Sequence, residues 1–156
     1  MGRNSSPERA ATLGVERLYP REQLGEMLGQ ADAVVLCCPH TPETENMIDR
    51  DAFAAMKDGV VFVNIARGKV VDEDALIDAL RSGKIAFAAL DVFRTEPLPP
   101  DSPLWDFPNV LINPHSASTA YSENRKITEI FCHNLRCFIE GRVDEMRNVL
   151  DKARMY

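Results

Sequence analysis

The sequence predicts an α/β fold built on a parallel sheet, and three observations predict it. Four short apolar runs, "ADAVVLCCP", "GVVFVNIARG", "IAFAALDV" and "NVLIN", are nearly continuous in apolar residues, as strands of parallel sheets are. The stretches between them carry helical spacing, and alternation of strand and helix is the signature of a parallel sheet with crossovers. After the last run comes one long amphipathic segment of different character.

The elements follow in order. Residues 21–29 place Leu24, Met27 and Leu28 at helical spacing. The first run then ends at Pro39, which cannot continue a strand's hydrogen bonding. A helix over residues 50–56 follows Asp49, whose carboxylate can cap its first amides. The second run, rich in β-branched residues, is bounded by Gly59 and Gly68. In "DEDALIDALRSGK" Asp72 can cap, Leu76, Ala79 and Leu80 form a stripe, and Gly83 can terminate the helix. The third and fourth runs close the sheet. Residues 120–140 predict one long helix, with Ile127, Ile130, Phe131, Leu135, Phe138 and Ile139 along an apolar face and Gly141 at its end. The tail "RVDEMRNVLDKARMY" has few apolar residues and is expected to wrap onto another surface.

Composition narrows the function. The 156 residues suit one domain, and 45% hydrophobic residues can fill a core. The net charge of −6 argues against a nucleic-acid or anionic-membrane partner, which needs a basic face. No apolar run approaches the length of a membrane span, and "MGRNSSPERA" carries no apolar stretch of a secretory signal, so the expected location is the cytoplasm. The cysteines are 37, 38, 132 and 137. Cys37 and Cys38 end an apolar run, where cysteine acts as a small buried hydrophobe. Cys132, His133 and Cys137 do not place three ligands on one helical face, so no metal is expected.

In open parallel sheets, ligands bind beyond the carboxyl ends of the strands. Arg67 follows the second run, Asp91 and Glu96 the third, and His115 the fourth. Arg67 offers a planar fork for a carboxylate. His115 can exchange a proton near neutral pH, and a carboxylate such as Glu96 beside it favours the imidazolium. Reduction of a 2-keto acid needs these functions and a hydride donor, which only a cofactor supplies. Taken singly, His115 could be a local hydrogen-bonding residue, Arg67 a surface arginine, Asp91 a turn former and Glu96 a solvated loop acid.

The stretches "VVFVNIARGKVVDEDAL", "AALDVFRTEPLP" and "NVLINPHSAS", in that order and preceded by "ADAVVLCCPHTPETENMI", resemble the D-isomer-specific 2-hydroxyacid dehydrogenase family. The resemblance implies an incomplete Rossmann-like doubly wound parallel sheet over residues 1–119. Residues 120–156 would be a C-terminal helix and tail that pack on a substrate domain. It implies hydride transfer between NAD(P)H and a small 2-keto or 2-hydroxy acid, as in glyoxylate/hydroxypyruvate reductases. Arg67 would bind the substrate's carboxylate, His115 would be the acid/base, and Glu96 would orient and charge it. Pro39 and Thr44 would line the cofactor cleft, with Ile65 and Ala66 beside the nicotinamide. Asp91 would hold the carboxamide, and Ala117 and Ser118 would approach the same ring. Where NAD-specific members usually carry an acid for the ribose, this chain reads Gly2-Arg3-Asn4-Ser5. Arg3 and Ser5 suit a 2′-phosphate, so NADP(H) is expected ahead of NAD(H). The family also implies a homodimer.

The eight glycines, 2, 14, 25, 29, 59, 68, 83 and 141, include no G-x-G-x-x-G. The expectation is therefore part of a cofactor domain, with weak cofactor binding and little turnover by the chain alone. Two alternatives remain: a non-catalytic dinucleotide-fold binding module, and a nonfunctional truncated product.

Overall fold

The computed structural model describes residues 5–117 and 119–152, so Arg3 and Ser118 lie outside the described residues. The chain divides into two compact units, Met1–Pro114 and His115–Tyr156.

The first unit is organised by four parallel strands: β1 (Ala33–Leu36), β2 (Val60–Asn64), β3 (Ile85–Leu90) and β4 (Val110–Ile112), paired in the order β1-β2-β3-β4. Leu36 pairs with Asn64, Asn64 with Leu90, and Leu90 with Ile112, so the strands finish in one row. Helix α1 (Pro7–Leu13), which the apolar periodicity does not predict, starts on the Ser6 side chain, with proline in its first turn, and stops at left-handed Gly14. Helix α2 (Leu24–Gln30) continues a 3₁₀ turn over Arg21–Gln23. Asp49 accepts from the Ala52 amide to open α3 (Arg50–Ala55), and Asp72 accepts from the Asp74 and Ala75 amides to open α4 (Glu73–Arg81), as the sequence predicts.

Helices α2, α3 and α4 feed a single core. Leu28, Phe53, Met56, Leu76 and Leu80 bury against Val34, Leu36, Phe62, Ile85 and Leu90. The Phe53 and Phe62 rings meet edge-on at 5.4 Å between centroids. Gly29 lets α2 approach α3, since a Cβ there would stand 3.2 Å from the Ala55 carbonyl oxygen. A register shift at Val60/Val61 inserts one residue into β3, which puts Ile85 and Ala88 on the same buried face.

The sheet is not covered on both faces, contrary to what the apolar runs predict. Val35 is 56% exposed, Phe87 41% and Leu111 57%, and all three lie on the face opposite the core. The near-continuous apolarity is present, but the buried residues of the strands fall on one side. Cys37 is likewise exposed and Cys38 only partly buried, not the buried hydrophobes expected. Burial pushes the Cys38 thiol up from its usual range, which keeps it protonated and unreactive at neutral pH.

The second unit holds α5 (Glu123–Ile139), which ends near left-handed Gly141 as predicted but starts three residues later than expected. Its apolar stripe is largely exposed, and among its described residues only Cys137 is buried. The tail returns to its own helix. The Asn134 side chain exchanges two hydrogen bonds with the Arg147 backbone, and the His133 ring lies 2.9 Å from the Glu145 carbonyl oxygen. Those polar pairings supply what the tail's sparse apolar residues do not.

Candidate active site

The carboxyl ends of β1, β2 and β3 carry the candidate residues of the first unit, and each loop there is held by its own hydrogen bonds. After β1, Pro39 is exposed and its carbonyl accepts from Thr44 Oγ1 at 2.8 Å. The same hydroxyl accepts from the Thr41 amide at 2.8 Å. Thr44 thus folds residues 39–44 into a turn, an organising task in addition to the lining role the resemblance implies. The strand of chain beyond the turn is stitched to the loop after β2. The Asn46 amide donates to the Lys69 carbonyl, Ile48 to Val70, and Asp72 back to Ile48.

After β2, Ile65 is exposed and Ala66 buried. Asn64, itself only 2% exposed, shapes this turn: its Oδ1 accepts from the Ala66 amide at 3.0 Å, and its Nδ2 reaches the Arg67 carbonyl at 3.4 Å. Arg67 is exposed and its Nη1 donates to the Ala66 carbonyl at 2.7 Å. Its guanidinium therefore stands at the rim, folded onto its own loop.

After β3, Asp91 is buried at 5% exposure and accepts on Oδ1 from the Asn113 side-chain amide. Glu96 is exposed at the residue level, and its Oε1 accepts from the Phe93 amide at 3.0 Å. The loops bearing Arg67 and Glu96 come close at Gly68. Gly68 lies so close to Phe93 that a Cβ on it would fall 1.9 Å from the Phe93 carbonyl oxygen. Outside the rim, Arg94 anchors the Glu96 loop to α4, with its Nη1 2.8 Å from Asp74 Oδ2 and its amide on Glu73. The Arg94 guanidinium beside Asp74 holds that carboxyl below the usual aspartate range.

His115 opens the second unit, three residues past the end of β4. It is exposed and adopts a left-handed backbone with φ of 52°, uncommon for a residue with a Cβ. Ala117 is exposed as well. Ser5 is partly buried beside the start of α1, in a shallow hollow shared with Arg17, whose guanidinium pairs with Glu26. The structure therefore brings Arg67, Asp91 and Glu96 onto neighbouring loops of one unit and leaves His115 in the other. Two site residues escaped the reading of motifs, Asn64 and Asn113. Their signal was available: "VVFVN" ends on asparagine in the row of Leu90, and "VLIN" ends on asparagine in the next row, beside the aspartate that follows "IAFAAL".

The residues present fit the nicotinamide half of a dinucleotide. A buried carboxylate, acceptor-only when ionised, stands at a strand end where a carboxamide could donate to it, next to an exposed apolar Ile65 that a ring could cover.

A four-stranded parallel sheet with its candidate loops at the carboxyl ends of the strands has the Rossmann-like architecture. Residues 2–117 match the family described as D-isomer specific 2-hydroxyacid dehydrogenase, NAD binding domain, and the chain belongs to that family. The chain is 47% identical over 126 residues to D-3-phosphoglycerate dehydrogenase of Mycobacterium bovis, covering 80% of this chain and 23% of the relative. It is 43% identical over 122 residues to glyoxylate/hydroxypyruvate reductase B of Escherichia fergusonii, covering 78% and 38%. Among solved structures, a D-isomer specific 2-hydroxyacid dehydrogenase from Xanthobacter autotrophicus Py2, in complex with NADPH and MES, superposes with a TM-score of 0.84 at 43% identity. That match covers 92% of this chain and 57% of the other. The chain thus spans well under half the length of these two curated relatives.

Proposed function

We propose that this chain supplies the cofactor wall and the reacting side chains of an NAD(P)-dependent 2-hydroxyacid dehydrogenase acting on a small 2-keto or 2-hydroxy acid. One observation carries the reading: the three motifs that resemble the family run, in order, through the carboxyl ends of three successive parallel strands and into the loops beyond them.

The nicotinamide, when bound, supplies or accepts the hydride. Arg67 swings from the Ala66 carbonyl to grip the substrate carboxylate with two parallel hydrogen bonds, which also sets the carbonyl's orientation. His115 gives its proton to the carbonyl oxygen as charge develops there, and takes it back in the oxidative direction. Glu96, an acid in the loop after β3, orients His115 and favours its protonated form. Asp91 accepts from the carboxamide of the cofactor and fixes which ring face meets the substrate. Substrate chemistry of the glyoxylate or hydroxypyruvate kind rests on the relatives' names and on the small, charged anchor that Arg67 provides. NADP(H) is preferred because the sequence reads Arg3 and Ser5 at positions where NAD-specific members usually carry an acid. The NADPH bound by the Xanthobacter relative points the same way. A cytoplasmic homodimer completes the reading.

The test is a single-turnover mixing of concentrated protein with NADPH or NADH and glyoxylate or hydroxypyruvate, followed by nicotinamide absorbance. Slow oxidation, faster with NADPH, is expected. His115→Gln should reduce it by about 10²-fold or more, the usual contribution of a general acid. Arg67→Gln should act chiefly by weakening keto-acid binding. A rate unchanged in His115→Gln would refute the assignment.

A further inference from the structure

Asp91 is the most deeply buried of the acids at the strand ends, and the residue that holds it has no place in the mechanism above. Asn113 reaches it because of register. Leu90 pairs with Ile112, so the next residue on each strand, Asp91 and Asn113, stand side by side, and the Asn113 amide donates to the Leu90 carbonyl at 2.9 Å. From that fixed backbone the Asn113 side chain donates through Nδ2 to Asp91 Oδ1. Asn113 is partly buried, so this bond is shielded from solvent on the protein side.

We propose that Asn113 is a positioning residue for the cofactor site: its side-chain amide fixes the orientation and the charge of Asp91, which then meets the nicotinamide carboxamide as an ionised, preset acceptor. This rests on the dehydrogenase reading for the ligand, though not for the pairing itself. The physics has two parts. Burial at 5% exposure disfavours a carboxylate's charged form, whereas a donated N–H favours it. A carboxylate that accepts a side-chain N–H also loses rotational freedom before the cofactor arrives, so binding need not supply that ordering. Asn64 does the same kind of work one strand away, where its side chain shapes the turn that carries Arg67. The rim thus has an amide behind each of two acting residues.

The experiment titrates the Asp91 carboxyl carbon by NMR in the 156-residue chain and in three variants, with β3 and β4 amide signals reporting an intact fold. Asn113→Leu removes the donor, and the Asp91 midpoint should rise by about one pH unit, a tenfold change in proton affinity. Asn113→Asp keeps the size but adds a like charge, and should raise it further. Asn113→Ser restores a hydroxyl donor and should return the midpoint toward wild type. A midpoint unmoved in whichever of the Leu and Asp variants folds overturns the proposal. A parallel titration with millimolar NADPH separates this from the functional reading. If NADPH shifts the Asp91 signal in the wild type while the midpoint ignores Asn113, the inference fails and the reading stands. If NADPH leaves Asp91 unmoved while the midpoint follows Asn113, the reading fails and the pairing is upheld.

Discussion

Gly68 shows how a residue with no side chain can hold a site together. It is not among the glycines with a left-handed backbone, so alanine could adopt its torsions. What forbids alanine is space, because the Phe93 carbonyl oxygen would lie 1.9 Å from the new carbon. The obstacle is backbone, which cannot rotate away. Gly68→Ala should therefore destabilise the chain by about 1–3 kcal/mol, the usual cost of overpacking, read as a lower urea midpoint at unchanged m-value. At this scale the sequence was legible where charge marks a candidate. Arg67, Asp91, Glu96 and His115 stand out because each follows an apolar run. Asn64 and Asn113 do not stand out, since an asparagine after a strand reads equally well as a turn former. Only the register shows that their amides point at the neighbours that matter.

At the scale of elements, capping chemistry was readable and packing faces were not. Asp49, Asp72, Gly83 and Gly141 start or stop helices where the sequence places them, because caps depend on neighbours a few residues away. Helix α1 was missed because it buries only Ala10 and so shows no stripe. The Glu96 loop depends on a contact of this scale as well, the pairing of Arg94 with Asp74 at the start of α4. Arg94 holds the Asp74 carboxyl below its ordinary value of about 3.9. A folded-state pKa below the unfolded one contributes stability above the unfolded value, and that contribution is lost as pH falls through the folded value. Asp74 and Arg94 are both well exposed, so screening limits the pair to about 0.2–1 kcal/mol. Urea midpoints of wild type and Arg94→Ala should differ in neutral buffer and converge in acid below the folded midpoint. Equal midpoints in neutral buffer would show that the pair contributes nothing.

At the scale of the whole molecule, the α/β class and the parallel pairing follow from the alternation of apolar runs and helical stretches, and the family follows from three motifs in series. One feature does not follow. The exposed sheet face cannot be read from runs that would look the same with a second helical layer. On the dehydrogenase reading, the loops after β1, β2 and β3 form one nicotinamide-binding rim. The most direct test maps backbone amide shifts of the 156-residue chain against increasing NADPH, with NADH as comparison. The claim predicts shifts concentrated in residues 39–44, 65–67 and 91–96, larger with NADPH at equal concentration. Shifts confined to the opposite ends of the strands, or to the outer surface of α3 and α4 around Arg50 and Asp78, would contradict it.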